Sequence, residues 1–201
     1  MILIGDEVKS IEASLFKWLG IRRVYSINMN LLFVDFGLFL SSIESNYEDQ
    51  FRYTQHVIMR GPMRDNMAIF IISHCLCLLS IDITGLDYCI FSGPKITDHT
   101  LQLIAEHCTG LQSLSFKYCR EITDTGLINI SEHCSNLKLL YVCYCTQLTD
   151  TSILSTSTHC TGLQILNLEG CLQLTDASII SISTHCVELH SLNLIKLLMP
   201  L

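Results

Sequence analysis

Charge is scarce in this chain. Only 15% of its 201 residues are Asp, Glu, Lys or Arg, and the balance is acidic, at −7. No long Lys/Arg run occurs, so the sequence supplies no basic face for nucleic acid or an anionic membrane. Polar, disorder-prone composition is missing too. Hydrophobic residues make up 49% and mean hydropathy is +0.41, which excludes disorder for most of the chain. No apolar run is long enough for a membrane span. The most apolar segment, Met29 to Ile43, contains Asp35 and falls short of the about 20 residues required, so it is read as core. A secretion signal is absent as well, because acidic residues follow the short apolar start Met1-Ile-Leu-Ile-Gly-Asp-Glu-Val-Lys at once. The eleven cysteines are therefore expected as free thiols in a reducing compartment, the cytoplasm or nucleus.

What is present is a repeat. Cys108, Cys134, Cys160 and Cys186 are each 26 residues apart, and His107, His133, His159 and His185 precede them. Ile96, Ile122, Leu148 and Leu174 keep the same period, as do Asp98, Asp124, Asp150 and Asp176. A further cysteine column runs Cys119, Cys145, Cys171 and ends at Leu197. Within one copy the pattern is Cys108-x-x-Leu111-x-x-Leu114-x-Phe116-x-x-Cys119-x-x-Ile122-Thr123-Asp124. Leu114 and Phe116 are two apart and share one face of a short strand. Leu127, Ile130 and Cys134 then recur at helical spacing.

The boundaries agree. Thr123-Asp124 offers side-chain oxygens to cap the helix start. Gly110, Asn136 and Gly162, two residues past the cysteines, are residue types that tolerate a left-handed helix end, a column broken by Glu188. An earlier copy shows in His74-Cys75, Leu78, Ile81, Ile83 and Leu86, with Asp65 nine residues before His74. It carries seven extra residues after its strand, including Gly93 and Pro94, with Cys89 in the bulge. The expected fold is an α/β solenoid over residues 63–201, with a curved parallel sheet inside and helices outside.

These residues resemble the cysteine-containing subfamily of leucine-rich repeats, C-x-x-L-x-x-L-x-L-x-x-C-x-x-[IL]-T-D-x-x-[IL]. The resemblance implies a leucine-rich-repeat solenoid that binds protein. The subfamily is best known from F-box proteins, substrate receptors of SCF ubiquitin ligases, in which the F-box docks the Skp adaptor. It therefore implies substrate recognition, with Skp adaptor and cullin as further partners. Residues 1–62 hold one proline, Pro62, and no Leu-Pro of the kind that opens an F-box. They stand as an unassigned segment, a solenoid cap or a diverged F-box, with a helix expected over Ser10 to Val24 and a strand or buried helix over Asn28 to Ile43. The alternative is a scaffold or assembly subunit, as in a cytoskeletal or ciliary complex, using the same repeat without a ligase role.

No nucleophile, paired acid or glycine-rich phosphate loop accompanies the repeat, so neither catalysis nor a cofactor is expected. The cysteines lie a whole repeat apart, whereas zinc sites gather ligands at short spacing, so they are read as core. Cys143 alternates differently and is expected as an exposed thiol. Histidines in the last helical turn suit the free carbonyls there. The remaining candidates are strand residues that point into the horseshoe: Ser80, Asp82 and Thr84, Ser113 and Ser115, Leu139, Ile165, Ser191 and Asn193 among them. Its expected centre is Lys117, Tyr118, Tyr141, Tyr144, Asn167 and Glu169, because tyrosine is among the types that dominate interface energetics. The apolar ending Leu194 to Leu201 carries no polar cap, so a longer solenoid or an association-prone chain is expected.

Overall fold

The computed structural model describes residues 2–4, 26–30, 52–61, 63–84 and 95–195. The expected Ser10–Val24 helix, most of Met29–Ile43, the insertion with Cys89, Gly93 and Pro94, and the segment after residue 195 lie outside them. Strands and helices alternate from residue 56 on. The strands are β1 (Ile2–Ile4), β2 (Ser26–Asn30), β3 (His56–Arg60), β4 (Ser80–Thr84), β5 (Ser113–Lys117), β6 (Leu139–Tyr141), β7 (Ile165–Asn167) and β8 (Ser191–Asn193). The helices are α1 (Asp65–Ser73), α2 (Asp98–His107), α3 (Asp124–His133), α4 (Asp150–His159) and α5 (Asp176–His185).

All neighbouring strands pair in parallel, in chain order from β1 to β8. This is an α/β solenoid, a parallel sheet in chain order with a helix between successive strands from β3 on. The starts of β5 to β8 fall at 113, 139, 165 and 191, the 26-residue period of the sequence. The sheet also runs upstream of residue 63. Val57 of β3 pairs with Ile81 and Met59 with Ile83, and all four are fully buried.

Register stacks like on like. Ile81, Leu114, Leu140 and Leu166 align across four strands, and Ile83 aligns with Phe116. Leu114, Leu140 and Phe116 have no exposed surface, and each such side chain contributes about 1.5–3 kcal/mol by leaving water. The helices close the layer with Leu101 and Ile104, Leu127 and Ile130, then Ile153 and Thr156, then Ile182. Thr156 stands where the flanking helices have isoleucine, and its buried hydroxyl donates to the Ser152 carbonyl at 2.8 Å.

The thiols are core donors. Cys134 donates to the Cys108 carbonyl at 3.4 Å and Cys160 to the Cys134 carbonyl at 3.6 Å, one rung back each time. In the other column Cys145 reaches Phe116 O at 3.3 Å and Cys171 reaches Val142 O at 3.0 Å. Burial pushes the thiols of Cys75, Cys108, Cys160 and Cys171 up to about 12 and that of Cys134 to about 11. Cys119 and Cys145 are raised for the same reason.

Two boundary expectations need correction. Gly110, Asn136 and Gly162 are not left-handed. The helices end instead on the cysteine itself, with Cys108 at φ −115 and ψ 46, and Leu111 N–H closes the turn onto Cys108 O at 2.9 Å. A turn closed that way needs no positive φ. The Thr-Asp pair, moreover, is split between two tasks. Thr97, Thr123, Thr149 and Thr175 each accept from the backbone N–H two residues on, at 3.2–3.3 Å, which caps α2 to α5. Each aspartate reaches forward to the threonine of the next repeat. Asp65 takes Thr97, Asp98 takes Thr123, Asp124 takes Thr149 and Asp150 takes Thr175, each through backbone N–H and hydroxyl. A carboxylate thus clips each of these pairs of helices together.

Candidate functional site

The sheet face turned away from the helices is built from the alternate strand residues. Along β4 these are Ser80, Asp82 and Thr84, half-buried, with Ile81 and Ile83 buried between them. The Thr84 hydroxyl donates to Asp82 at 2.6 Å. In register, Asp82 meets Ser115, Ser115 meets Tyr141, Tyr141 meets Asn167 and Asn167 meets Asn193. Leu139, Ile165 and Ser191 form a parallel row.

Two residues of this face depart from expectation. Cys143 is buried, at 4% exposure, rather than an exposed thiol. Burial raises its pKa to about 11, with the Lys117 charge lowering it and the Glu169 charge raising it. Ser115 is 6% exposed, and its hydroxyl has no hydrogen-bond partner among the described residues. The exposed cysteine among the described residues is Cys77.

The six expected centre residues come together on β5 to β7 and the turns that follow. The rings of Tyr118 and Tyr144 stack with centroids 4.6 Å apart and planes 12° apart. The Lys117 ammonium lies over the Tyr141 ring, 5.5 Å from its centroid. The Tyr144 hydroxyl donates to Glu169 Oε1 at 2.7 Å, and Asn193 Nδ2 donates to Oε2 at 3.4 Å. Asn167 Oδ1 accepts the Glu169 backbone N–H at 3.0 Å, which fixes the turn that carries the carboxylate. All six are half-buried.

A backbone feature that the sequence-based expectation missed underlies the stack. Tyr118 and Tyr144 are the positive-φ residues other than glycine among the described residues, at 63° and 59°, and Gly170 follows in the same column at 73°. The local cause is a turn in which each N–H bonds a carbonyl just past the end of the next strand. Tyr118 N–H reaches Cys143 O at 2.9 Å, Tyr144 N–H reaches Glu169 O at 2.7 Å, and Gly170 N–H reaches Ile195 O at 3.1 Å. At Gly170 a Cβ would stand 2.5 Å from the Tyr144 ring, so Tyr118, Tyr144 and the bare Gly170 backbone form one pile. The 26-residue alignment of Tyr118, Tyr144 and Gly170 was the available signal, since glycine in a column marks what its conformation demands.

The histidine column lies elsewhere, on the helix ends. Nδ1–H of His107, His133, His159 and His185 donates to the carbonyl four residues back at 2.8–3.0 Å, satisfying a helix-end acceptor. Among the described residues no helix is long and apolar enough to cross a membrane.

No family model and no curated protein matches this sequence. Among solved structures the chain is similar to one in the crystal structure of the Rad7 and Elc1 complex in yeast, at 16% identity and a TM-score of 0.49. The match covers 92% of this chain and 61% of that one, so the chain spans less than two thirds of that neighbour.

Proposed function

We propose that this chain is a non-catalytic protein-binding module whose partner rests on the concave sheet face, centred on Lys117, Tyr118, Tyr141, Tyr144, Asn167 and Glu169. One observation carries the reading. Two tyrosines hold left-handed backbone, at about 1–3 kcal/mol each, in a stack at the edge of a half-exposed polar face. The fold gains no core from rings placed there, whereas a partner gains a rigid aromatic surface with a positioned cation and carboxylate beside it.

The finer reading is substrate recognition for an SCF-type ubiquitin ligase, motivated by the resemblance of the cysteine-containing repeat. The alternative is a scaffold or assembly subunit built on the same face. The raised, buried thiols suit a reducing compartment, the cytoplasm or nucleus. Affinity purification of the tagged chain from its own cells, with mass spectrometry of what remains bound, separates the readings. Recovery of the Skp adaptor and a cullin makes it a ligase receptor. A stable set of structural proteins without ligase components makes it a scaffold. In either case the Tyr118→Ala/Tyr144→Ala variant is expected to lose the concave-face partner while keeping the fold.

A further inference from the structure

We propose that this face recognises one extended segment of its partner that carries an acidic and a basic side chain three residues apart. The proposal rests on the concave face being the binding centre and adds the chemistry of what binds there.

Among the described residues the two charges of the site are positioned and neither is joined in an ion pair. Lys117 is held by the face of Tyr141, and Glu169 by neutral donors from Tyr144 and Asn193. A carboxylate offers about four acceptor positions, so after these two bonds Glu169 still has room for a guanidinium or ammonium. At the other end, the Lys117 ammonium is held over the Tyr141 ring on the same face. An ammonium positioned there makes a place for a carboxylate, with Lys117 giving the charge.

Spacing selects the segment. Lys117 is on β5 and Glu169 follows β7, two strands away, which is about 10 Å at the usual separation of parallel neighbours. In a polyproline-II segment residues i and i+3 share an edge about 9.3 Å apart. A β-strand presents same-face residues at about 6.7 or 13 Å, which fits less well. The Tyr118–Tyr144 stack lies beside this path, and aromatic surfaces are what such segments dock on. The acid is placed over β5 and the base toward Glu169.

The test is selection of random phage-displayed peptides, about a dozen residues long, against the full chain. Wild type is expected to enrich one acidic and one basic residue three apart, in either order. The Lys117→Glu variant, which leaves two carboxylates on the face, is expected to enrich two basic residues three apart instead. A selected wild-type peptide is expected to lose roughly tenfold in affinity against Lys117→Glu and to regain it when its own acid is changed to lysine. An unchanged or charge-free motif in the Lys117→Glu variant overturns the proposal while leaving the face as the binding centre. If Tyr118→Ala/Tyr144→Ala, folded by circular dichroism, enriches the same peptides as wild type, the reading of the face itself fails.

Discussion

A single methyl group at Gly170 tests the residue scale. Gly170→Ala would force a side chain into left-handed backbone and against the Tyr144 ring, so we expect about 2 kcal/mol of destabilisation, read as a lower urea midpoint. Tyr118 and Tyr144 bear that conformational strain in the native chain, which is why their positions carry more meaning than an exposed tyrosine does. The candidate residues were legible because strand alternation tells which side chains leave the core. Their conformation was not, because tyrosine gives no warning of positive φ and the telling glycine stands one repeat further on. Cys143 shows the limit of alternation. It follows the strand Leu139–Tyr141 and is buried all the same, which no alternation along one strand reveals. Peptide mapping after alkylation of the native protein at neutral pH is accordingly expected to find Cys77 modified and Cys143 protected, with the two core cysteine columns protected too.

At the scale of elements, the junction between helices depends on aspartate. Burial pushes the Asp124 carboxyl up, but hydrogen bonds from Ser152 and Thr149 outweigh it and hold the group below its ordinary range. Asp150 is lowered in the same way, by Ser178 and Thr175 against burial. A depressed folded pKa means the stabilisation is complete above the unfolded value, near pH 4, and is lost as pH falls through the folded one. We expect a stability plateau through neutral pH with an acid limb below about pH 4. Asp124→Asn should lower the plateau by about 1–3 kcal/mol and make the acid limb shallower, measured by urea unfolding across pH. The Thr-Asp column announced helix starts correctly, yet its aspartate serves the following repeat. A column of identical residues shows that a position recurs and leaves open which other column it touches. The helix ends were misjudged for a related reason: glycine and asparagine permit a left-handed turn, and a turn closed on cysteine did not require one.

At the scale of the whole molecule, the period dictated the architecture. Strands that recur every 26 residues with an intervening helix can only stack in parallel and in chain order, and β5 to β8 do so. The upstream sheet was hidden because its strand starts, at 26, 56 and 80, are 30 and 24 residues apart, so no column repeats there. The forward clip from each aspartate to the next threonine also has a bearing on length. Removing residues 124–149 joins Thr123 to Asp150, so Asp98 still finds its threonine and Thr123 still caps a helix. That shortened chain is expected to fold cooperatively, with a lower melting temperature, and to be blind to the partner because Tyr141 and Tyr144 go with the excised turn. Length in this molecule is therefore quantised. Insertions and deletions are tolerated inside the helices and strands only in whole turns, and every whole turn gained or lost redraws the recognition surface by one rung.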